Sequence, residues 1–116
     1  MIRSLIPMAH VRNVKRSIEF YEKLGFRVAN TFTPNGESEP AWASMRADGA
    51  ELMISRGERS EPSVLFYVYC DDVAAEHEGL SAAGVAVGEI NYEFFAPRGE
   101  FRVEDPDGYV LMISHT

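Results

Sequence analysis

The spacing of apolar and polar residues in the first quarter of the chain predicts a strand followed by a helix. Residues 3–11 carry apolar side chains at loosely alternating positions, as a half-buried strand does. From Val14 to Leu24 the apolar side chains recur at helical spacing. Asn13 is a residue type that begins helices, and Gly25 is the type that ends them in a left-handed conformation.

The rest of the first half predicts three further strands. Residues 26–32 return to an extended pattern, and a turn or loop over 33–37 follows them. Residues 41–47 and 51–56 predict a hairpin, because the Asp48-Gly49 dipeptide between them favours a tight turn.

The second half of the chain repeats this order. A strand, a capped helix, an extended stretch and a closing hairpin follow one another, with a long loop before the hairpin. The strand is expected over 64–70, and the helix is expected to begin at Asp72 and end at Gly84. The extended stretch is expected over 85–87 and the loop over 88–99. The two strands of the hairpin are expected over 101–104 and 109–115.

The two halves are also similar residue by residue. Residues 48–55 and 107–114 share six of eight residues at a shift of 59, and the same shift places Trp42 over Phe101. Two copies of one β-α-β-β-β unit are therefore expected to make up a single domain. The expected boundaries are 1–57 for module one, 58–62 for a polar linker and 63–116 for module two.

Composition and charge narrow the classes of function. The 116 residues are 46% hydrophobic and 25% charged, which is ordinary for one globular domain. A net charge of −7 argues against nucleic acid and anionic membranes as partners and is compatible with a cationic ligand. The single Cys70 cannot form an internal disulfide, and no signal-peptide core or membrane-spanning run is visible, so a cytoplasmic location is expected.

Two stretches resemble a known superfamily. Residues 11–21 with Leu24-Gly25-Phe26, and residues 101–109, look like the opening and closing parts of the vicinal-oxygen-chelate superfamily. It includes glyoxalase I, extradiol dioxygenases, fosfomycin-resistance enzymes and bleomycin-resistance proteins. The resemblance implies an α+β fold in which two βαβββ modules form a half-open barrel, with helices outside and a cavity inside, usually in a dimer.

The metal site that this resemblance implies is not expected here. In the family's metalloenzymes, ligands come from the first and last strands of each module, and a divalent metal needs converging His and carboxylate groups. The corresponding positions are all apolar: Ile6, Leu65, Met53 and Met112. We therefore expect no metal, no cofactor and no catalytic residues. A displaced site with Glu51 and His10, which strand alternation directs to the same side as Met53 and Ile6, stays open.

The inner faces that the resemblance implies would be apolar, aromatic and rich in thioethers, as in a small-molecule pocket or a packed core. Residues 91–98 add three aromatic side chains in a predicted loop, and Trp42 and Phe101 are further stacking candidates. The candidate ligand-binding residues are Met8, His10, Trp42, Met53, Tyr67, Tyr69, Phe94, Phe95, Arg98, Phe101 and Met112.

Within the superfamily, the sequence looks most similar to the bleomycin-resistance branch, whose members lack the metal and sequester a cationic glycopeptide between two swapped chains. Leu5-Ile6-Pro7 and residues 97–101 carry this likeness. The chain departs from the branch at Pro97-Arg98-Gly99, where a stacking Trp is common, so the ligand need not be bleomycin.

These observations favour a metal-free small-molecule-binding protein that takes an aromatic or cationic compound such as an antibiotic. It is expected to act as a cytoplasmic homodimer, with swapped and unswapped modules both left open. Two alternatives stay open. One is a glyoxalase-like lyase, isomerase or dioxygenase that uses Glu51 and His10, and the other is a non-catalytic dimerisation module.

Overall fold

The computed structural model describes Met1, residues 3–58 and residues 64–116. The chain forms two compact units, Met1–Glu61 and Pro62–Thr116. The first contains β1 (Met8–Val11), α1 (Val14–Lys23), β2 (Arg27–Phe32), β3 (Trp42–Ala47) and β4 (Ala50–Arg56). The second contains β5 (Leu65–Cys70), α2 (Val73–Ala82), β6 (Asn91–Glu93), β7 (Ala96–Glu104) and β8 (Val110–His115). The expected α+β class and β-α-β-β-β order are confirmed, while the expected linker over 58–62 lies, apart from Glu58, outside the described residues.

Both helices begin and end at the residues expected from the sequence. The Asn13 side chain accepts a hydrogen bond from the Arg16 N–H at 3.0 Å, and that of Asp72 accepts one from Ala75 at 3.0 Å, which satisfies free N–H groups of each first turn. Gly25 and Gly84 follow the helices with φ of 96° and 87°. In the part of the chain that the structure describes, no helix is long and apolar enough to span a bilayer.

Unit one is a four-stranded sheet with α1 packed on one face. The strand order is β1-β4-β3-β2, with β1 parallel to β4 and the other pairs antiparallel. Alternate residues of the three strands β1, β4 and β3 are buried on the face that meets α1. They are Ala9, Val11, Leu52, Ile54, Ala43 and Met45, and α1 adds Val14, Phe20 and Tyr21.

Unit two has the same topology with its own helix. Its strand order is β5-β8-β7-β6, with β5 parallel to β8. The buried residues of this unit include Val73, Leu80, Phe101, Val103, Leu111 and Ile113, together with Tyr109 beside Phe66. Each unit thus builds its own core between one helix and one sheet face, as the sequence repeat predicts.

Residues 88–99 are not the long loop that the sequence predicts. β6 and the first residues of β7 occupy part of this segment and pair as an antiparallel hairpin. The pairing is irregular between Asn91 and Glu93, and Gly99 adopts a φ of 101° opposite this irregularity. A bulged, short strand has too little alternation to be recognised from its sequence.

The alignment of Trp42 with Phe101 is also wrong by one residue. Trp42 pairs with Ser55 on β4, but the residue that pairs with Ser114, the repeat mate of Ser55, is Glu100. The turn between β3 and β4 has two residues, whereas five residues separate the paired Glu104 and Val110 in unit two. This longer turn shifts β7 by one position, and a shift of one residue moves every side chain to the other face.

Candidate functional site

Each unit has its own candidate binding surface, which is the face of its sheet that points away from its helix. Because side chains alternate along a strand, the register assigns each residue to a helix-covered face or to the opposite face, which we call the open face. Each unit has one such face, and the two differ in chemistry.

The open face of unit one is aromatic and thioether-rich. Two rows of paired residues cross it from β1 to β2, in the order His10, Ser55, Trp42 and Phe32 for one row and Met8, Met53, Ser44 and Asn30 for the other. Met8 and Phe32 are 46% and 59% exposed, while His10, Trp42 and Met53 are half-buried. Four expected ligand-binding residues, Met8, His10, Trp42 and Met53, are therefore brought together on one surface.

The open face of unit two combines aromatic residues with a buried carboxylate. The corresponding rows are Tyr69, Ser114, Glu100 and Asn91, and Tyr67, Met112 and Arg102. Three expected residues, Tyr67, Tyr69 and Met112, lie on this face. Glu100 was not among the expected residues, and it occupies the position that Trp42 holds in unit one.

Tyr67 links the aromatic pair to the carboxylate. Its ring stacks on that of Tyr69 with centroids 5.9 Å apart and an interplanar angle of 23°. Its hydroxyl donates to Oε2 of Glu100 at 3.4 Å, which is long for a hydroxyl donor. Desolvation raises the pKa of Tyr67, and the negative charge of Glu100 and this hydrogen bond act in the same direction.

Glu100 is held in a buried position by the irregular part of β7. Its residue is only 4% exposed, and its Oε1 has no hydrogen-bond partner within the described ranges. The preceding Gly99 has a φ of 101°, which a residue with a side chain adopts only with strain, and a Cβ there would lie 2.9 Å from Cγ2 of Ile90. A glycine at this position therefore allows the backbone conformation that directly precedes Glu100.

Phe94 and Phe95 are placed at the tip of the β6–β7 hairpin. They lie between the paired residues Glu93 and Ala96, and their rings meet edge to face at 5.3 Å. They are 93% and 60% exposed, so both present apolar surface to solvent. The two rings therefore form an exposed aromatic cluster at the tip of the β6–β7 hairpin.

Arg98 lines a cleft of about 330 Å³ near the N-terminus of α2. The other lining residues include Asp71, Asp72, Tyr92 and His115. Unit one has a corresponding cleft of about 450 Å³, lined by Arg12, Asn13, Glu37 and Arg56 among others. There Arg56 donates to both carboxylate oxygens of Glu37, at 2.6 and 3.3 Å, and this hydrogen bonding lowers the pKa of Glu37.

Phe101 is the one expected residue that the structure places away from these surfaces. It is fully buried on the helix-covered face, where its ring meets that of His77 edge to face at 4.9 Å. His77 is fixed in turn by a hydrogen bond from its Nε2 to the carbonyl of Gly88 at 2.9 Å. Both side chains therefore pack in the interior of unit two.

The side chains present do not suit a divalent metal. Within residues 3–58 and 64–116, no group of three His, Cys, Asp or Glu side chains converges as a ligand set requires. His10 pairs with Ser55 on β4, and Ser55 lies four residues from Glu51 on the same face. Four residues span about 13 Å along a strand, and Met53 lies between Ser55 and Glu51. Glu51 instead forms an ion pair with Arg46 at 3.3 Å, so the structure does not bring Glu51 and His10 together.

Cys70 is not arranged as a nucleophile. The residue is half-buried, and burial raises the pKa of its thiol, with the charge of Glu76 acting in the same direction. A raised pKa keeps the less reactive thiol form at neutral pH. This matches the expected structural role of the residue.

Comparison with known families gives a match over most of the chain. The sequence model described as "Glyoxalase/Bleomycin resistance protein/Dioxygenase superfamily" matches residues 7–113. Among curated protein sequences, none matches the chain significantly.

Several solved structures share the fold. A bleomycin-binding protein in complex with bleomycin is 17% identical, with a TM-score of 0.75 and 99% of each chain covered. TnmS3, an antibiotic-binding protein from Streptomyces sp. CB03234, is 21% identical, with a TM-score of 0.77 over 99% of this chain and 96% of that one. A glyoxalase-related enzyme from Clostridium phytofermentans is 13% identical, with a TM-score of 0.81 over 100% and 96%. At these identities the likeness concerns the fold alone, which hosts binding proteins and enzymes alike.

Proposed function

The chain belongs to the glyoxalase/bleomycin resistance protein/dioxygenase superfamily, and we propose that within it this protein is a metal-free, non-catalytic binder of an aromatic or cationic small molecule such as an antibiotic. The observation that carries this proposal is the composition of the two open faces. They offer aromatic rings, thioethers and one buried carboxylate, which suit binding of an apolar or cationic compound. Small-molecule binding is also what the names of two structural neighbours describe.

Stacking on the open faces would supply much of the affinity. Trp42 in unit one and Tyr69 in unit two are both accessible and flanked by residues of their own face. An aromatic pair contributes about 0.5–1.5 kcal/mol beyond the area that it buries. Loss of one such ring should therefore weaken binding by up to about tenfold.

A thermal-shift screen of planar aromatic and cationic compounds tests the proposal, because a ligand that binds only the folded protein raises its melting temperature. Trp42→Ala or Tyr69→Ala should weaken a hit. Val28→Ala is the matched control, since Val28 is 40% exposed and pairs with Met45, which lies on the helix-covered face. The absence of stabilising compounds in a broad library would contradict the proposal and favour a dimerisation module.

The metal-free assignment has its own test. The protein is dialysed against zinc, nickel, manganese and iron, and elemental analysis should then find only background amounts. A stoichiometric ion that Glu51→Ala or His10→Ala removes would overturn the assignment and favour an enzyme. Lys15→Ala, an exposed substitution on α1, is the control for non-specific loss of metal.

We further propose a homodimer in the cytoplasm. β1 and β5 are edge strands of their sheets and carry exposed apolar residues, among them Met8, Leu65 and Tyr69. Unpaired strand edges with apolar side chains favour association with a second copy. The single Cys70 fits a reducing compartment.

A further inference from the structure

The carboxylate of Glu100 lacks the partner that its position requires. It is 4% exposed, and Oε1 has no hydrogen-bond partner in the part of the chain that the structure describes. A buried carboxylate is destabilising unless it is paired, so an unsatisfied oxygen in such a place points to a missing binding partner.

Arg98 and Arg102 each lie two residues from Glu100 along β7, and neither is a hydrogen-bond partner of its carboxylate. Arg102 lies two residues further along β7 on the same open face, but its Nη2 donates to Oε1 of Glu104 at 2.7 Å. Glu104 and Arg102 are both more than half exposed, so their ion pair is a surface feature. Among the described residues, the Tyr67 hydroxyl is the one hydrogen-bond partner of the Glu100 carboxylate.

That single contact can be exchanged for a stronger one. At 3.4 Å the Tyr67 hydrogen bond is longer than the usual range for a hydroxyl donor. Tyr67 is 43% exposed, so the side chain that contacts the carboxylate borders solvent. A protonated amine or a guanidinium would form a shorter, charge-assisted hydrogen bond in its place.

The neighbouring rings are suited to the same ligand. Tyr67 and Tyr69 form a stacked pair beside Glu100, and aromatic faces attract cations as well as planar groups. In unit one the corresponding position is occupied by Trp42, so the open face there has no carboxylate at this point of the sheet.

We propose that Glu100 binds the cationic group, a protonated amine or a guanidinium, of an aromatic small molecule held on the open face of unit two. This inference rests on the proposed function, and it assigns the preference for a positively charged ligand to Glu100. The net charge of −7 would further favour the approach of a cation.

The test compares two probes with the same aromatic ring by calorimetric titration: naphthylmethylammonium, which carries a positive charge, and naphthylmethanol, which carries a neutral hydroxyl. The wild-type protein should bind the amine at least about tenfold more tightly than the alcohol, because the amine makes a charge-assisted hydrogen bond. Glu100→Gln should abolish this preference and leave the affinity for the alcohol unchanged. Glu104→Gln is the matched control, since it removes an exposed carboxylate from the same face of the same strand and should keep the preference.

Glu100→Met provides a second variant of similar length, and thermal melting of each variant establishes that it is folded. An amine preference that survives in Glu100→Gln and Glu100→Met would overturn the assignment to Glu100. Equal binding of both probes to the wild-type protein would also overturn it, while the proposed small-molecule binding would stand. Binding of neither probe would count against both, because each requires the open face to accept an aromatic compound.

Discussion

At the residue scale, the hydroxyl of Ser17 is a buried polar group that the fold does not satisfy. Ser17 is fully buried on the sheet-facing side of α1, and its Oγ has no hydrogen-bond partner among the residues described. An unsatisfied buried hydroxyl destabilises a protein by about 1–3 kcal/mol, although a serine in a helix sometimes finds a backbone carbonyl.

Ser17→Ala should therefore raise the free energy of unfolding by about 1 kcal/mol, because alanine removes the unsatisfied group and favours the helix. Urea denaturation followed by circular dichroism measures the change. Ser81→Ala, an exposed substitution in α2, is the control and should show only the smaller effect of helix propensity. A loss of stability in Ser17→Ala would mean that the hydroxyl is satisfied after all.

Tyr67 reports on the charge of Glu100. Its pKa is raised above the ordinary value of 10.0 by desolvation, by the Glu100 carboxylate and by their hydrogen bond. Since the folded-state pKa exceeds the unfolded one, the Tyr67 proton stabilises the fold below pH 10.0, and this contribution is lost as the pH rises through the raised value.

Glu100→Gln should bring the pKa of Tyr67 back toward its ordinary value, because it removes the negative charge beside the phenol. The difference between the ultraviolet titrations of the wild-type protein and Tyr67→Phe isolates this group among the five tyrosines. The difference between the titrations of Glu100→Gln and of the double variant Glu100→Gln/Tyr67→Phe then gives the titration of Tyr67 without the Glu100 carboxylate. An unchanged midpoint would show that Glu100 does not act on Tyr67.

At the scale of elements, the closing turn of unit two depends on Asp105. The residue is buried, and its Oδ1 accepts hydrogen bonds from the N–H groups of Asp107 at 2.8 Å and Tyr109 at 2.9 Å. These bonds shape the five-residue turn between β7 and β8 and so help to fix the register that puts Glu100 opposite Ser114.

Asp105→Ala should lower the free energy of unfolding by about 2–3 kcal/mol, because it leaves two backbone N–H groups without their charged acceptor. Asp105→Asn keeps an oxygen acceptor and should cost less. Denaturant unfolding of the two variants gives the comparison. Equal losses would show that the charge or another contact of Asp105 matters more than the two hydrogen bonds.

At the scale of the whole molecule, the exposed apolar residues on the edge strands predict self-association. Light scattering at micromolar concentration should give about twice the sequence mass of 13.0 kDa. Leu65→Asp should shift the mass toward the monomer if β5, where Leu65 is 52% exposed, contributes to the contact. A wild-type mass of 13.0 kDa would contradict the proposed dimer.

The sequence by itself determined the local structure. Asn13 and Asp72 begin the helices, glycines end them, and the Asp48-Gly49 turn closes the first hairpin, because each depends on interactions within a few residues. The repeat also predicted the order of elements. The faces of β1, β4, β5 and β8 were predicted from strand alternation together with the resemblance to the superfamily. Six of the expected ligand-binding residues lie on the open faces of these four strands: Met8, His10, Met53, Tyr67, Tyr69 and Met112.

Only the tertiary structure decided the register of β7 and with it the chemistry of unit two. The longer turn at Asp105 moved Glu100 to the open face and Phe101 into the core. The unequal turn lengths were visible in the sequence, but their effect depends on pairing between strands that are distant along the chain. A shift of one residue reverses the two faces of a strand, so side-chain identity alone could not place the carboxylate beside Tyr67.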